Sequence, residues 1–226
     1  IKEKLIEEDA KSADLIKPIL RGRDIKKYLC DFGDLWLLNV HNGVKEKGVP
    51  PVNIDKYPAI KKHLDKYITK LTKRADKGIS LYHLRNCAYI EDFNKEKIVY
   101  PNMTKFLPFT LDLDGHYLND KCFILSGEKL YYLVAFLNSK LFRFCFSDAF
   151  PELQGNSKEI KKFILETIPV IEISDEEPFR NKVIEIIDMK KGGENSYTTN
   201  LEAEIDQMIY KLYNLTEEEI EIIEAS

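Results

Sequence analysis

The sequence predicts an α+β fold, in which helices pack on a small, mixed and mostly antiparallel sheet and a helical segment follows at the C-terminus. Three observations predict it. Short apolar runs of strand length occur among helical patterns without regular alternation. Asp114-Gly115 separates two such runs and is a hairpin-type turn signal. The C-terminal quarter contains only helical patterns, so we expect one domain over residues 1–175 and the helical segment over residues 176–226.

The clearest helix of the first half spans residues 57–78. Pro58 fits its first turn, and Gly78 can end it. Apolar residues recur at helical spacing and would face a core, namely Ile60, Leu64, Ile68 and Leu71. Lysines recur on the opposite face and are joined by Arg74, namely Lys62, Lys66, Lys70 and Lys73. The pattern therefore predicts an amphipathic helix with a basic outer face.

The other elements follow in chain order. We expect a short polar helix at 1–15, strands at 35–40, 97–101, 106–113 and 121–126, a buried helix at 128–146, a helix running into a strand at 158–173, an amphipathic helix at 178–191, a linker at 191–196 and two helices within 200–224. Thr216 and Glu219 match a capping box at the start of the last helix. No run reaches the roughly 18 apolar residues of a transmembrane helix.

Composition favours a soluble, cytoplasmic protein. Of the 226 residues, 44% are hydrophobic, which suffices for one ordinary domain with a helical appendage. The first residues lack both the apolar core of a signal peptide and an initiator Met, so we expect a fragment of a longer chain. The four cysteines are far apart, at Cys30, Cys87, Cys122 and Cys145. We expect reduced, partly buried thiols and no metal site, because zinc ligands usually come in close pairs.

Charge is distributed unevenly along the chain. Residues 17–105 contain 19 basic and 10 acidic residues, a net charge of +9, although the whole chain has a net charge of −4. Residues 167–226 contain 5 basic and 15 acidic residues, a net charge of −10. This distribution indicates two surfaces with different partners. The alternative is that the charges lie on solvated faces without a partner.

No established catalytic motif is present, so no catalytic residue is assigned. The sequence lacks glycine-rich phosphate or dinucleotide loops, H-E-x-x-H and G-x-S-x-G. One weak pattern is typical of metal-dependent nucleases, with Asp148 followed by Glu159 and Lys161. Such a Glu-x-Lys spacing often arises by chance in a chain rich in both residues, and we expect Glu159 and Lys161 to lie on an exposed helix start instead.

Nucleic-acid binding needs cations for phosphates and hydrogen-bonding side chains for base edges. The lysines of the predicted helix, with Arg74 and Lys77, fit the first need. Four clustered residues fit the second, namely Tyr82, His83, Arg85 and Asn86, because Arg can bind guanine and Asn can bind adenine in a bidentate manner. Arg21, Arg23 and Lys105 are further candidate contacts. Equally, the lysines can form a solvated face, and the Arg-Asn pair can tie a loop together.

Several segments, taken in order, resemble the TaqI-like C-terminal specificity domain. They are IKPILRGRDIKKY, the loop HNG, VNIDKYPAIKKHLDKY, LRNCAY, KEKIVYP, FILSG and YYLVAFLNSKL, and the terminal EIDQMIYKLYNLTEEEIEIIE also fits. The resemblance covers residues 16–224. It implies target recognition on double-stranded DNA within a type IIG restriction-modification enzyme or an adenine-specific DNA methyltransferase.

The resemblance also implies what other domains of a parent protein would do. A methyltransferase domain of the same chain would bind S-adenosylmethionine and methylate adenine, and a nuclease domain with Mg²⁺ is present in some relatives. The N/D-P-P-Y/F motif and the glycine-rich cofactor loop of that methyltransferase domain are absent here, so we expect no cofactor and no catalysis in this chain. Residues 80–83 also depart from the Thr-Pro-Tyr-Asn-like stretch of relatives, which puts a base contact by His83 in doubt.

Two other classes of function stay open. In the first, the chain is a protein-interaction module whose basic face meets an acidic partner domain. In the second, Asp148, Glu159 and Lys161 act as a metal-dependent nuclease. If the chain recognises DNA, we expect the acidic helices within 178–224 to pack on other domains or on the recognition domain itself, away from phosphates, because like charges repel. No membrane partner is expected.

Overall fold

The computed structural model describes residues 1–193 and 198–226. It divides into two compact units, each of which is described by itself. Unit 1 comprises Ile1–Ile19 and Asp34–Asn94, and unit 2 comprises Leu20–Gly33 and Lys95–Ser226. The predicted α+β class is confirmed, because each unit combines small antiparallel sheets or strand pairs with packed helices.

The strands are short. They are β1 (Ile16–Leu20), β2 (Ile25–Lys26), β3 (Leu29–Cys30), β4 (Trp36–Leu38), β5 (Lys97–Pro101), β6 (Met103–Thr104), β7 (Thr110–Asp112), β8 (Tyr117–Leu118), β9 (Cys122–Leu125), β10 (Glu152–Leu153) and β11 (Ser157–Glu159). The α-helices are α1 (Lys2–Glu8), α2 (Pro58–Asp65), α3 (Ile68–Lys73), α4 (Leu130–Leu137), α5 (Lys140–Phe146), α6 (Lys162–Leu165), α7 (Glu177–Lys191), α8 (Thr198–Leu212) and α9 (Glu217–Glu224).

Unit 1 is built on one antiparallel strand pair with helices packed beside it. β1 pairs with β4, in a register that places Ile16 opposite Leu38. Two small apolar clusters form its core, one around Ile60 and the other around Leu5. α2 contributes to both clusters, because Ile60 is fully buried in the first and its neighbour Ala59 is buried in the second. The N-terminal helix therefore folds onto the same helix that carries the first predicted basic residues.

Unit 2 is centred on β5, which pairs antiparallel with β7 on one side and with β9 on the other. Every residue of β5 is buried, as a short apolar run at the centre of a sheet predicts. A second small sheet has the order β10-β11-β6. β2 and β3 form a separate antiparallel pair.

The C-terminal helices belong to the core of unit 2. One buried cluster contains β5 and β7 residues such as Ile98 and Leu111, and it also contains Val183 and Ile186 of α7 and Ile205 of α8. α7 packs against α4 and α8. The observed division of the chain therefore does not coincide with the expected boundary at residue 175, since residues 176–226 share their apolar core with the preceding strands.

Two predicted helices are each interrupted. The expected helix at 57–78 consists of α2 and α3, because Tyr67 leaves helical geometry and α3 ends at Lys73, before Gly78. The expected helix at 128–146 consists of α4 and α5. Asn138 lies between them, and its side chain hydrogen-bonds both the N–H and the C=O of buried Phe109. Ser139 then caps α5 by accepting from the Phe142 N–H.

Other predictions for the second half have mixed outcomes. The predicted strand at 97–101 coincides with β5, and the capping box of Thr216 and Glu219 is present at α9. Residues 158–173 reverse the predicted order, because a strand (β11) precedes a short helix (α6). The expected linker at 191–196 falls partly on residues 194–197, which lie outside the described residues. Within residues 1–193 and 198–226, no helix has the length and apolar character needed to cross a bilayer.

Candidate nucleic-acid interface

The basic face of unit 1 lies along α2 and α3. Pro58 occupies the first turn of α2, and the buried Ile60 fixes which side of this helix faces the core. Five lysine side chains are exposed along this stretch, namely Lys62, Lys66, Lys70, Lys73 and Lys77. The break at Tyr67 redirects the chain, so the row of lysines follows two short helices and not one straight face.

The lysines differ in what their ammonium groups contact. Lys62 forms an ion pair with Glu8, and Lys77 donates to the Thr72 carbonyl at 2.9 Å. In the part of the chain that the structure describes, no hydrogen bond or ion pair reaches the side chain of Lys66, Lys70 or Lys73. These three cations are therefore available to an anionic partner without breaking an internal contact.

Arg74 and His83 act inside the protein. The Arg74 guanidinium donates to the His83 carbonyl, which ties the end of α3 to the following loop. His83 is buried, with Nδ1 at 2.8 Å from the Ser80 hydroxyl and Nε2 at 2.9 Å from the Val52 carbonyl. Because both ring nitrogens have internal partners, His83 holds the loop together in this structure and does not present a base-reading edge.

Asn42 organises the same loop and was missed by sequence reasoning. Its Nδ2 donates to the Leu84 carbonyl at 2.8 Å and to the Asn86 Oδ1 at 2.6 Å. Its Oδ1 accepts from the Ile79 N–H at 2.9 Å. Gly78 fits against this amide, since a Cβ at that position would lie 2.0 Å from the Asn42 Oδ1. The only available signal was the Asn-Gly dipeptide, which indicates a turn but names no long-range partner.

The loop of residues 78–86, which Asn42 holds in place, has two exposed polar side chains. Arg85 is 63% exposed and lies 3.6 Å from Asp76, which is 75% exposed, so this ion pair is weak in solvent. Asn86 is exposed while its Oδ1 accepts from Asn42. Tyr82 donates its hydroxyl to Asp65 at 2.5 Å. Of the predicted base readers, Arg85 and Asn86 are therefore held on a fixed backbone with their side chains in solvent.

Unit 2 contains the other three predicted contacts. Arg21 forms a bidentate pair with Asp24, at 2.8 and 2.9 Å, and this hydrogen bonding raises the pKa of the guanidinium. Arg21 is thus committed to the turn that follows β1. Arg23 is 73% exposed, and Lys105 is also exposed. The structure therefore brings ten of the thirteen predicted residues together in unit 1, and places Arg21, Arg23 and Lys105 in unit 2.

A buried polar cluster in unit 2 has the composition of a metal site. Ligand atoms of Cys30, Asp112 and His116 lie within 4.8 Å of one another. The Asp112 carboxylate, however, already accepts four hydrogen bonds, from the Lys97 ammonium, the His116 ring and the N–H groups of residues 114 and 116. Burial also raises the pKa of the Cys30 thiol. Asp112, His116 and Lys97 thus satisfy one another, which favours a structural role for this cluster.

The nuclease-like residues are paired with lysines. Asp148 is fully exposed and forms an ion pair with Lys158 at 2.9 Å. The Glu159 carboxylate lies 2.7 Å from the Lys161 ammonium, within the same Glu-x-Lys pattern. Each carboxylate is thus neutralised locally, and nothing in this arrangement favours a nuclease centre. The four cysteines are free thiols.

Comparison with known proteins identifies the family. The model of the TaqI-like C-terminal specificity domain matches residues 17–170. A solved structure of the type IIL restriction-modification enzyme MmeI in complex with DNA has the same fold, with a TM-score of 0.62 and 10% sequence identity. The superposition covers 95% of this chain and 30% of that one, so this chain spans less than a third of the enzyme's length. No curated protein matches the sequence.

The family match covers more than half of the chain and includes both the basic stretch and the central strands of unit 2. It confirms the resemblance that the ordered sequence segments indicated. This chain belongs to the family of TaqI-like C-terminal specificity domains.

Proposed function

We propose that this chain recognises target sites in double-stranded DNA as the specificity region of a restriction-modification enzyme. The observation that carries the proposal is the row of exposed lysines on α2 and α3, of which Lys66, Lys70 and Lys73 have no internal partner among the described residues. Family membership supports it, and so does the fold shared with an enzyme whose structure contains DNA.

The two parts of the unit 1 surface suit two parts of DNA recognition. Unpaired lysine cations can replace the counterions condensed on phosphates, which gives affinity without regard to sequence. Arg85 and Asn86 lie on a loop whose backbone is held by Asn42, Arg74 and His83. A polar side chain on a rigid backbone loses little conformational entropy when it meets a base edge, so this loop suits sequence readout.

In the finer form of the proposal, the parent protein is a type IIG enzyme or an adenine-specific methyltransferase. The chemistry would then belong to a methyltransferase domain that binds S-adenosylmethionine, with Mg²⁺ serving a nuclease domain where one is present. This chain would supply recognition and no catalytic group. An enzyme that modifies a base inside a duplex must hold the DNA while the base leaves the stack, and a recognition surface provides part of that hold.

The test begins with selection of bound duplexes from a pool with a randomised centre, using the 226-residue chain. Lys66→Glu combined with Lys70→Glu should weaken the selected and random duplexes alike. It should also lower the slope of log affinity against log salt by about 2, since each phosphate contact contributes about 0.9. Arg85→Ala should instead reduce discrimination at one base pair by about 1–3 kcal/mol.

Lys211→Glu is the matched control for Lys70→Glu, because Lys211 is an exposed lysine on the acidic helix α8. The single Lys70→Glu variant is made for this comparison, because Lys211→Glu changes the net charge by the same amount as Lys70→Glu alone. Lys211→Glu should leave DNA affinity almost unchanged. Unaltered binding by the Lys66→Glu/Lys70→Glu variant, together with unaltered sequence preference in Arg85→Ala, would contradict the proposal. If the chain binds an acidic protein and an excess of duplex DNA does not displace that protein, the protein-interaction alternative is favoured.

A further inference from the structure

Phe106 is among the most exposed large apolar side chains of the described residues, at 74% exposure. It lies in unit 2 between β6 and β7, next to the exposed Lys105. An exposed phenyl ring in water contributes little to folding, and a single exposed ring is not by itself a contact surface. The loop that holds it decides what kind of contact is possible.

Both ends of this loop are anchored in the core of unit 2. On the N-terminal side, β6 pairs with β11, which places Thr104 opposite Lys158. On the C-terminal side, Phe109 is fully buried, and the Asn138 amide hydrogen-bonds both its N–H and its C=O. Between these anchors, the Phe106 N–H donates to the Thr104 hydroxyl at 3.1 Å.

Leu107 fixes the direction of the ring. Its φ is +46°, in the left-handed region that a branched side chain rarely adopts, and its own side chain is buried. This backbone turn directs Leu107 into the core and leaves the adjacent Phe106 in solvent. Strained backbone of this kind persists where the surroundings over-determine it, and it is concentrated at functional sites.

Two cations accompany the ring. Lys105 is exposed, and its ammonium forms no hydrogen bond or ion pair within residues 1–193 and 198–226. The Arg143 guanidinium is exposed and donates to the Phe106 carbonyl at 3.4 Å, so it lies beside the same turn. An aromatic ring flanked by cations complements a base step flanked by phosphates, whereas an apolar protein surface would leave both cations without a partner.

We infer that Phe106 is an apolar wedge, which stacks on a base of the bound duplex at a locally opened step while Lys105 and Arg143 face the adjoining phosphates. The inference rests on the proposed function and adds to it a contact in unit 2 that reads no base edge. A rigidly held ring suits this role, because stacking against it costs little ordering entropy. Opening the step requires its two base pairs to unstack. Pyrimidine–purine steps unstack most easily, so we expect Phe106 to bind at such a step.

The test places 2-aminopurine, whose fluorescence rises when it leaves the base stack, at successive positions of the selected duplex. The wild-type chain should increase the fluorescence at one step. Phe106→Ala should abolish the increase and weaken binding about tenfold, within the range measured for base–aromatic stacking. Phe106→Trp should preserve both the fluorescence increase and the DNA affinity, since it retains a planar ring. Phe106→Leu should retain little of either.

Ile222→Ala is the control, since Ile222 is 58% exposed on the acidic helix α9 and should change neither signal. The Phe106 variants should unfold like the wild type, because an exposed side chain contributes little to the core. If the wild type and the Lys66→Glu/Lys70→Glu variant behave as proposed but Phe106→Ala binds normally, the wedge alone is refuted. If no duplex is bound at all, the proposed function fails first.

Two further outcomes would also overturn the wedge. In the first, the wild type gives no fluorescence increase, Phe106→Ala loses affinity for DNA, and replacing thymine by uracil in the duplex also weakens binding. These results would indicate that the ring contacts a thymine methyl group in the groove. Normal DNA binding with loss of binding to a separately supplied methyltransferase domain would indicate a protein contact.

Discussion

The side-chain amide of Asn42 contacts four residues of one loop. Its hydrogen bonds reach Ile79, Leu84 and Asn86, and its oxygen fits against the open face of Gly78. Neither hydrogen bond to the backbone depends on charge, so salt and pH should leave them intact. The exposed side chains of Arg85 and Asn86 therefore start from one loop conformation before any DNA is bound.

Asn42→Ala should separate affinity from specificity. The variant loses the brace of residues 78–86, and the groups left unpaired should lower the free energy of unfolding by about 1–3 kcal/mol. Binding to random duplexes should persist, since Lys66 and Lys70 are unchanged, but the preference for the selected sequence should fall toward that of Arg85→Ala. Thermal unfolding and competition between selected and random duplexes measure the two effects.

Asn53→Ala is the matched control for Asn42→Ala. Asn53 also lies in unit 1, and its side chain accepts one hydrogen bond from the Asp55 N–H near α2. Its loss should lower stability by about 1 kcal/mol, the usual cost of a lost N-terminal cap, and should leave sequence preference intact. Retained preference in Asn42→Ala would show that the loop needs no brace from this residue.

Sequence reasoning at the scale of single residues succeeded where solvent exposure follows from charge. Lysines in a helical pattern stay at the surface because burial of an unpaired ammonium is costly, and the structure places Lys62, Lys66, Lys70 and Lys73 there. The fate of His83 was not predictable in this way. A neutral imidazole is stable inside or outside the protein, and partners contributed by Ser80 and Val52 decided its position.

The pairing of β5 with β7 depends on a buried ion pair. Lys97 and Asp112 are opposite each other in the register, both are almost fully buried, and their charged groups lie 2.6 Å apart. Burial by itself would raise the pKa of Asp112, but hydrogen bonding from His116 and the nearby Lys97 ammonium outweigh it and lower that pKa. The strand pair therefore relies on an ionised carboxylate.

Asp112→Asn should destabilise unit 2 strongly. It removes the charged partner that lies 2.6 Å from the buried Lys97 ammonium, and breaking a buried ion pair by changing one partner typically costs about 3–5 kcal/mol in the free energy of unfolding. Urea unfolding at pH 7 measures the loss. The control is Asp114→Asn, since Asp114 pairs with Lys191 at 2.8 Å in a half-exposed ion pair worth at most about 1 kcal/mol.

The same carboxylate sets a pH dependence. The pKa of the Asp112 carboxyl group is lower in the folded chain than in the unfolded chain, where it is about 3.9. The ionised group therefore stabilises the fold above that unfolded pKa, and this stabilisation is lost as pH falls through the folded pKa. Wild-type stability should therefore fall with acidification below about pH 4, and the Asp112→Asn variant should show a shallower fall. Equal pH profiles for the two proteins would contradict this assignment of Asp112.

Element ends were the least predictable feature of the secondary structure. The apolar spacing that suggested one helix over 128–146 is present in α4 and α5 together. The break between them is required because Asn138 bonds to Phe109, which lies 29 residues earlier in the chain. No local pattern contains that information, since the interruption satisfies a buried backbone group on another element.

At the scale of the whole molecule, the C-terminal helices are part of the folding unit that contains β5. Val183 and Ile186 of α7 lie in the same buried cluster as Ile98 of β5. Further contacts join them to the rest of unit 2, because Glu202 of α8 pairs with Lys27 at 2.6 Å. The acidic charge of this region therefore covers a face of unit 2 and does not form a separate module.

Ile186→Ala should destabilise all of unit 2. Ile186 is fully buried, so its truncation should cost about 2–5 kcal/mol in the free energy of unfolding. Hydrogen exchange of the β5 amides should accelerate accordingly, because the same core protects them. Ile222→Ala, on the exposed side of α9, should change neither measurement. Unchanged exchange in β5 of the Ile186→Ala variant would show that the helices fold independently.

From the sequence alone follow the α+β class, the central buried strand, the exposed basic stretch and the family, because these depend on composition, local periodicity and the order of short segments. The tertiary structure was needed to divide the chain into units, to place His83 inside and Arg85 outside, and to direct Phe106 into solvent. Those outcomes depend on partners far away in the chain, such as Asn42 for the loop and Asn138 for Phe109. A hydrogen bond between distant residues leaves no periodic signal, so only the folded molecule reveals it.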